Sequence, residues 1–122
     1  MAKNNKYSDI SKTGPNLVDL DSVRDAIRNI IYTRKGERGF LRDFGSRIED
    51  YLFSPFSYSM SRAILSELVS SISKWEKRVD VTATTSVTPN FDSRKYEVSV
   101  YIKVVGLDSE INIYNTELSP KG

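Results

Sequence analysis

The chain has 122 residues, with 18 Lys and Arg against 16 Asp and Glu, and neither cysteine nor histidine. Thiolate and imidazole chemistry are therefore excluded together: no disulfide framework, no Ser-His or Cys-His triad and no ordinary zinc site can be built from it. Hydrophobic residues make up 39% and charged residues 28%, the balance of a single globular domain and not of a disordered or membrane-spanning chain. No apolar run approaches the ~20 residues of a membrane span, and no signal-peptide stretch follows Met1 to Asn5, so the chain is expected to stay where it is made. The net charge of +2 is too slight to imply nucleic acid. It is uneven, however: 14 basic against 10 acidic residues up to Arg78, then 4 against 6, which fits two halves facing different partners.

In chain order, residues 1 to 18 are polar, contain Gly14 and Pro15, and read as an extended amino-terminal arm. From Asp19 the apolar residues Leu20, Val23, Ile27, Ile30 and Ile31 recur every three or four positions, which predicts a helix from about Ser22 to Thr33 with Asp19 or Asp21 as N-cap and a stop near Gly36. A second helix is predicted from about Phe44 to Phe53, where Phe44, Ile48, Tyr51 and Leu52 share a face. The third, from about Ser59 to Trp75, carries the stripe Ile64, Leu65, Leu68, Val69, Ile72 and Trp75, with Ser57 or Ser59 as cap.

Periodicity then changes to two. Val79, Val81, Ala83, Thr85 and Val87 predict one strand, Tyr96, Val98, Val100, Ile102 and Val104 a second, and Ile111 and Ile113 a third reaching about Thr116. The expected fold is α+β: three helices followed by a three-stranded antiparallel meander, with the helices on one sheet face. Residues 19 to 118 would form one domain and 119 to 122 a tail.

Three segments stand out. The run Thr33-Arg34-Lys35-Gly36-Glu37-Arg38, followed by Phe44-Gly45 and Leu52-Phe53, concentrates arginine, glycine and aromatic residues in a connection. It reads either as a solvated loop with turn glycines or as a loop whose guanidinium groups grip a partner's carboxylates and carbonyls. At Trp75-Glu76-Lys77-Arg78, a helix meets a strand, and Glu76 and Arg78 are spaced to pair; ordinary helix-end surface charge is the other reading, with Trp75 in the core under both. The last strand, with Ile111, Asn112, Ile113, Tyr114, Asn115 and Thr116, leaves a sheet edge that is either solvated or open to another strand.

The order of these motifs resembles the baseplate wedge and sheath-initiator family of contractile phage tails, which is shared with type VI secretion baseplates. That pattern is an apolar helix, T-R-x-G-x-R, F-G, L-F, a long helix, and W or Y before E-P-R. Ile27, Ile30, Ile31, Thr33, Arg34, Gly36, Arg38, Phe44, Gly45, Leu52, Phe53, Trp75, Glu76 and Arg78 meet it in sequence, and Tyr7-Ser8-Asp9-Ile10 is similar to the arm of phage members. One departure is visible: Lys77 stands where the family has proline. The resemblance implies a structural virion part of the tail baseplate, assembled in the host cytoplasm, with no cofactor, no metal, no nucleic acid and no membrane partner. It implies that Trp75, Glu76, Arg78, Arg34, Gly36, Arg38, Phe44 and Gly45 clamp the helical core of larger wedge proteins. It further implies that the edge from Ile111 to Thr116 docks the tail sheath protein.

Family members have also been described as lysozyme-like, so the alternative is a carboxylate-dependent peptidoglycan muramidase. Glu37 with Asp43 would sit among arginines, which favour the ionised form and oppose the raised pKa that an acid catalyst needs. Glu49 and Asp50 are adjacent on a predicted helix and diverge by about 100° around it. The expectation is no catalytic residue.

Overall fold

A computed structural model describes residues 19–36, 44–104 and 109–121. The expected arm 1 to 18, together with Glu37, Arg38, Arg42 and Asp43, lies outside the described residues.

Helix α1 spans Leu20–Tyr32, α2 Ile48–Leu52 and α3 Tyr58–Trp75, followed by strands β1 Val79–Val81, β2 Ser86–Asn90, β3 Lys95–Val104 and β4 Glu110–Leu118. Asp19 caps α1 by accepting the Asp21 and Ser22 N–H groups on Oδ1, and Ser57 caps α3 by accepting the Met60 N–H on Oγ. The helical stripes bury Val23, Ile27, Ile64, Leu68 and Ile72 against Val98, Val100 and Ile102 of β3, so the core lies between the helices and one sheet face. Every residue assigned to the inner face of β3, Tyr96 to Val104 in steps of two, is buried.

The sheet has four strands because the first expected strand is interrupted. β1 pairs with the Ile102–Val104 end of β3 and β2 with Lys95–Ser99, both along the same side, while β4 takes the other side. Between them Thr85 replaces a backbone partner: its Oγ1 accepts the Tyr101 N–H at 2.9 Å and donates to the Tyr101 carbonyl at 3.0 Å. A hydroxyl doing the work of a peptide group satisfies the ladder where the chain leaves it after Thr82, whose own N–H still donates to the Tyr101 carbonyl at 2.9 Å. In β4 the register shifts between Val100↔Tyr114 and Tyr101↔Asn112, leaving Ile113 as a bulge. That extra residue keeps Ile113 and Leu118, an odd number of positions apart, on the core side.

Helix α1 ends at Tyr32, within one residue of the expected Thr33, whereas α2 starts at Ile48 and not at Phe44. The late start has a local cause. The Ser46 N–H donates to the Thr33 carbonyl at 3.0 Å and the Lys35 N–H to the Ser46 carbonyl at 3.2 Å, so the two ends of the connection pair in extended conformation. Gly45 makes this approach with φ of 104°, and a Cβ there would overlap the Thr33 carbonyl oxygen. Gly36 also has positive φ, 94°, but open space around it. Gly45→Ala should therefore cost about 3 kcal/mol or more, from strain plus overlap, whereas Gly36→Ala should cost about 1 kcal/mol from strain alone. Denaturant titrations of the two variants measure the difference.

Candidate functional site

The corner between α3 and β1 is built on a buried carboxylate. Glu76 ends α3, its N–H donating to the Ile72 carbonyl at 2.8 Å. Its side chain is 5% exposed, and that of Arg78 is 42% exposed. Three donors of Arg78 converge on it: N–H to Oε1 at 3.1 Å, Nε to Oε1 at 2.7 Å and Nη2 to Oε2 at 2.7 Å. The remaining arm of the guanidinium, Nη1, donates to Ser22 Oγ at 3.2 Å, which joins the corner to the first turn of α1. The hydrogen bonds from Arg78 outweigh desolvation and hold the Glu76 carboxyl below its ordinary range; the same pairing raises Arg78.

Trp75 is only half-buried and lies outside the main core cluster. Its ring takes the Phe44 ring edge-on at 5.2 Å, and Lys74 Nζ lies 5.2 Å from its centroid. Its Nε1–H is buried without a hydrogen-bond partner among the described residues. The contact places Phe44, a described end of the connection, beside the corner. Arg34 sits at the connection's other end, with Nε and Nη2 each 2.7 Å from Asp50 Oδ1 of α2. Gly36 is exposed there and Gly45 is buried against Thr33.

Sequence reasoning missed the group that fastens this connection to α3. Glu67 accepts the Arg47 N–H at 2.9 Å and the Ser71 hydroxyl at 3.2 Å, and Lys35 Nζ stands 3.8 Å from it. It looked like ordinary helix surface, and only the i, i+4 spacing to Ser71 hinted otherwise. Asp50 was missed as the partner of Arg34 because the pairing depends on the closed connection.

The third candidate, from Ile111 to Thr116, runs along the outer strand, and among the described residues only β3 pairs with β4. Part of its outer side is already engaged by α1. Arg24 Nε donates to the Ile113 carbonyl at 3.0 Å, and the Tyr32 and Thr116 hydroxyls are 2.7 Å apart. On the solvent face Asn112 and Asn115 exchange hydrogen bonds at 3.1 and 2.8 Å across the bulge.

A family model described as baseplate wedge protein gp25 matches residues 18–107. The chain belongs to the gp25 baseplate wedge family. It is similar to baseplate wedge protein gp25 of Enterobacteria phage T4, with 28% identity over 128 residues that cover 98% of this chain and 96% of the relative. Among solved structures it resembles a Geobacter sulfurreducens protein named as a tail lysozyme, with a TM-score of 0.72 and 22% identity over 84% of this chain and 91% of that one. It also resembles a chain of the post-contraction baseplate of pyocin R2, at TM-score 0.61 and 23% identity over 74% and 89%. At these identities the two structures establish the fold alone. The resemblance read from the motifs thus holds at the level of the family.

The corner of this gp25-family chain carries a pH prediction. Because the folded pKa of Glu76 is depressed, its stabilisation is complete above the ordinary value of 4.5 and is lost as pH falls through the lower folded value. Wild-type stability should start to decline through this group only below pH 4.5. Glu76→Gln should lower stability at pH 7 by about 1.5–3 kcal/mol and flatten the acid limb. Urea midpoints measured from pH 7 down to the acid transition test both.

Proposed function

We propose that the chain is a structural, non-enzymatic subunit of a contractile phage tail baseplate, carried in the virion and assembled in the host cytoplasm. It clamps a helical segment of the larger wedge proteins at the Glu76/Arg78 corner, and it templates the first ring of the tail sheath along β4. The observation that carries the clamp is the contrast within the pair: a buried carboxylate fixes a guanidinium that is 42% exposed. Glu76 positions and Arg78 presents. Lys74 and Lys77 are exposed beside it, so an acidic-faced helix is the complementary partner. The connection from Arg34 to Arg47 adds a second basic contact, anchored to the corner through Phe44 and Trp75.

For β4, strand addition fits an edge whose main-chain groups need little side-chain identity from a partner. Net values of ~0.5 to 1.5 kcal/mol per bond become substantial when repeated around a ring. The muramidase alternative fares worse on chemistry. Glu49 stands 3.5 Å from Lys121, and Asp50 is held by Arg34 at 2.7 Å, so each acid of that pair is committed to a cation. The cavity beside Glu49 has a volume of about 170 Å³, below the ~300–1,000 Å³ of small-molecule sites.

Coexpression with the other wedge proteins should yield a stable complex, and Glu76→Ala combined with Arg78→Ala should release this chain. Circular dichroism of the isolated double variant checks that the fold survives; a folded variant that still assembles sinks the clamp. Proline at Asn112 or Tyr114 removes one β4 backbone donor. The expected result by electron microscopy is complete baseplates without extended sheath. Two folded proline variants that nucleate sheath normally would exclude docking on this edge. Clearing of peptidoglycan by the purified protein, abolished in Glu37→Gln, would instead restore the enzyme.

A further inference from the structure

Two exposed aromatic side chains, Phe53 at 52% and Phe91 at 62%, belong to neither the corner nor β4. Phe91 sits in the β2–β3 turn, which is fixed by its own chemistry. Asn90 Oδ1 accepts the Asp92 N–H at 3.0 Å and the Ser93 N–H at 3.3 Å, while its Nδ2 donates to Glu97 Oε2 at 3.1 Å. Arg94 closes the turn with φ of 55°, a left-handed conformation unfavourable for a residue with a side chain. There its guanidinium lies 5.4 Å from the ring centroid of Phe56.

Phe56 is the centre of the cluster. It stacks on the fully buried Tyr96 at 4.6 Å and meets Phe91 edge-on at 5.2 Å. The Tyr96 hydroxyl in turn accepts the Ser57 N–H at 3.2 Å, tying the cluster to the start of α3. A groove of about 210 Å³ opens beside Phe56, walled by Phe53, Pro55, Pro120 and Arg94.

We propose that this groove docks an extended segment of another protein, one that presents an aromatic or large aliphatic side chain next to a carboxylate. Its volume of about 210 Å³ is below the ~300–1,000 Å³ of small-molecule sites and suits a single protein side chain. The second feature is charge. Among the described residues Arg94 has no carboxylate partner, and a guanidinium lying over a ring keeps its edge donors available for one. A second copy of this chain is the poorer occupant, since one side chain and one ion pair fall far short of the ~800 Å² per partner that stable interfaces bury.

The test is titration of the ¹⁵N-labelled full chain with three peptides: acetyl-Glu-Phe-Glu-amide, acetyl-Lys-Phe-Lys-amide and acetyl-Glu-Gly-Glu-amide. The acidic aromatic peptide should give saturable amide shifts at Phe53, Phe56, Phe91 and Arg94, about tenfold tighter than the lysine peptide, and the glycine peptide should give none. Arg94→Asp should invert the preference between the charged peptides; aspartate tolerates the left-handed backbone, so the turn is retained. Phe53→Ser, at a 52% exposed position in the groove wall, should weaken the acidic aromatic peptide at least to the level of the lysine peptide. Absence of saturable shifts, equal binding of the two charged peptides, or an unchanged preference in Arg94→Asp would overturn the proposal. So would a concentration-dependent dimer in sedimentation that Phe53→Ser abolishes, which would make a second copy the occupant.

Discussion

A carboxylate with 5% of its side chain exposed needs a cation, and here the cation stands two residues further along the chain. The separation is short enough for three donors of Arg78 to reach Glu76, and these bonds define the turn between the last helix and the first strand. Because Glu76 also ends α3 and Arg78 also reaches Ser22, one ion pair fixes α3, β1 and the start of α1 relative to one another. Buried pairs are rarely strong contributors to stability, since desolvation offsets much of their attraction. Their value is in specifying one geometry. A proline between them would preset the backbone of this corner, and with Lys77 there the hydrogen bonds of the pair do that work.

The same logic of internal pairing governs the connection between α1 and α2. Thr33, Lys35 and Ser46 pair through their backbones because Gly45 has no Cβ, and Glu67 fastens the result to α3. Arg34 then faces Asp50. Arg34, Lys35 and Arg47 are therefore displayed on a paired frame, and Phe44 beside it touches Trp75 of the corner.

Periodicity made the α+β order, the three helices and the inner face of β3 legible, because stripes at 3.6 and 2 residues record burial directly. The Glu76/Arg78 pairing was legible too, being local. Failures occurred where side chains substitute for backbone or where partners are distant in sequence. Thr85 sits in phase with the apolar alternation, so nothing marked it as the group that breaks the strand. The bulge at Ile113 was hidden by the regular spacing of Ile111 and Ile113. Trp75 read as core because its position continued the stripe of α3, yet it lies outside the core cluster and packs against Phe44 instead. Glu67, Asp50 and Arg24 act on residues 16 to 89 positions away, a range at which one sequence carries no pattern.

The central claim is that the corner is set before any partner arrives. Side-chain ¹⁵N NMR of the isolated chain at neutral pH tests it most directly. A fixed pair predicts a single resolved Arg78 Nε–H resonance, protected from water exchange, that loses its protection in Glu76→Gln while the signals of Arg62 and Arg94 stay unchanged. An Arg78 Nε–H that exchanges as fast as those exposed arginines would contradict the account, and the corner would then have to form on assembly.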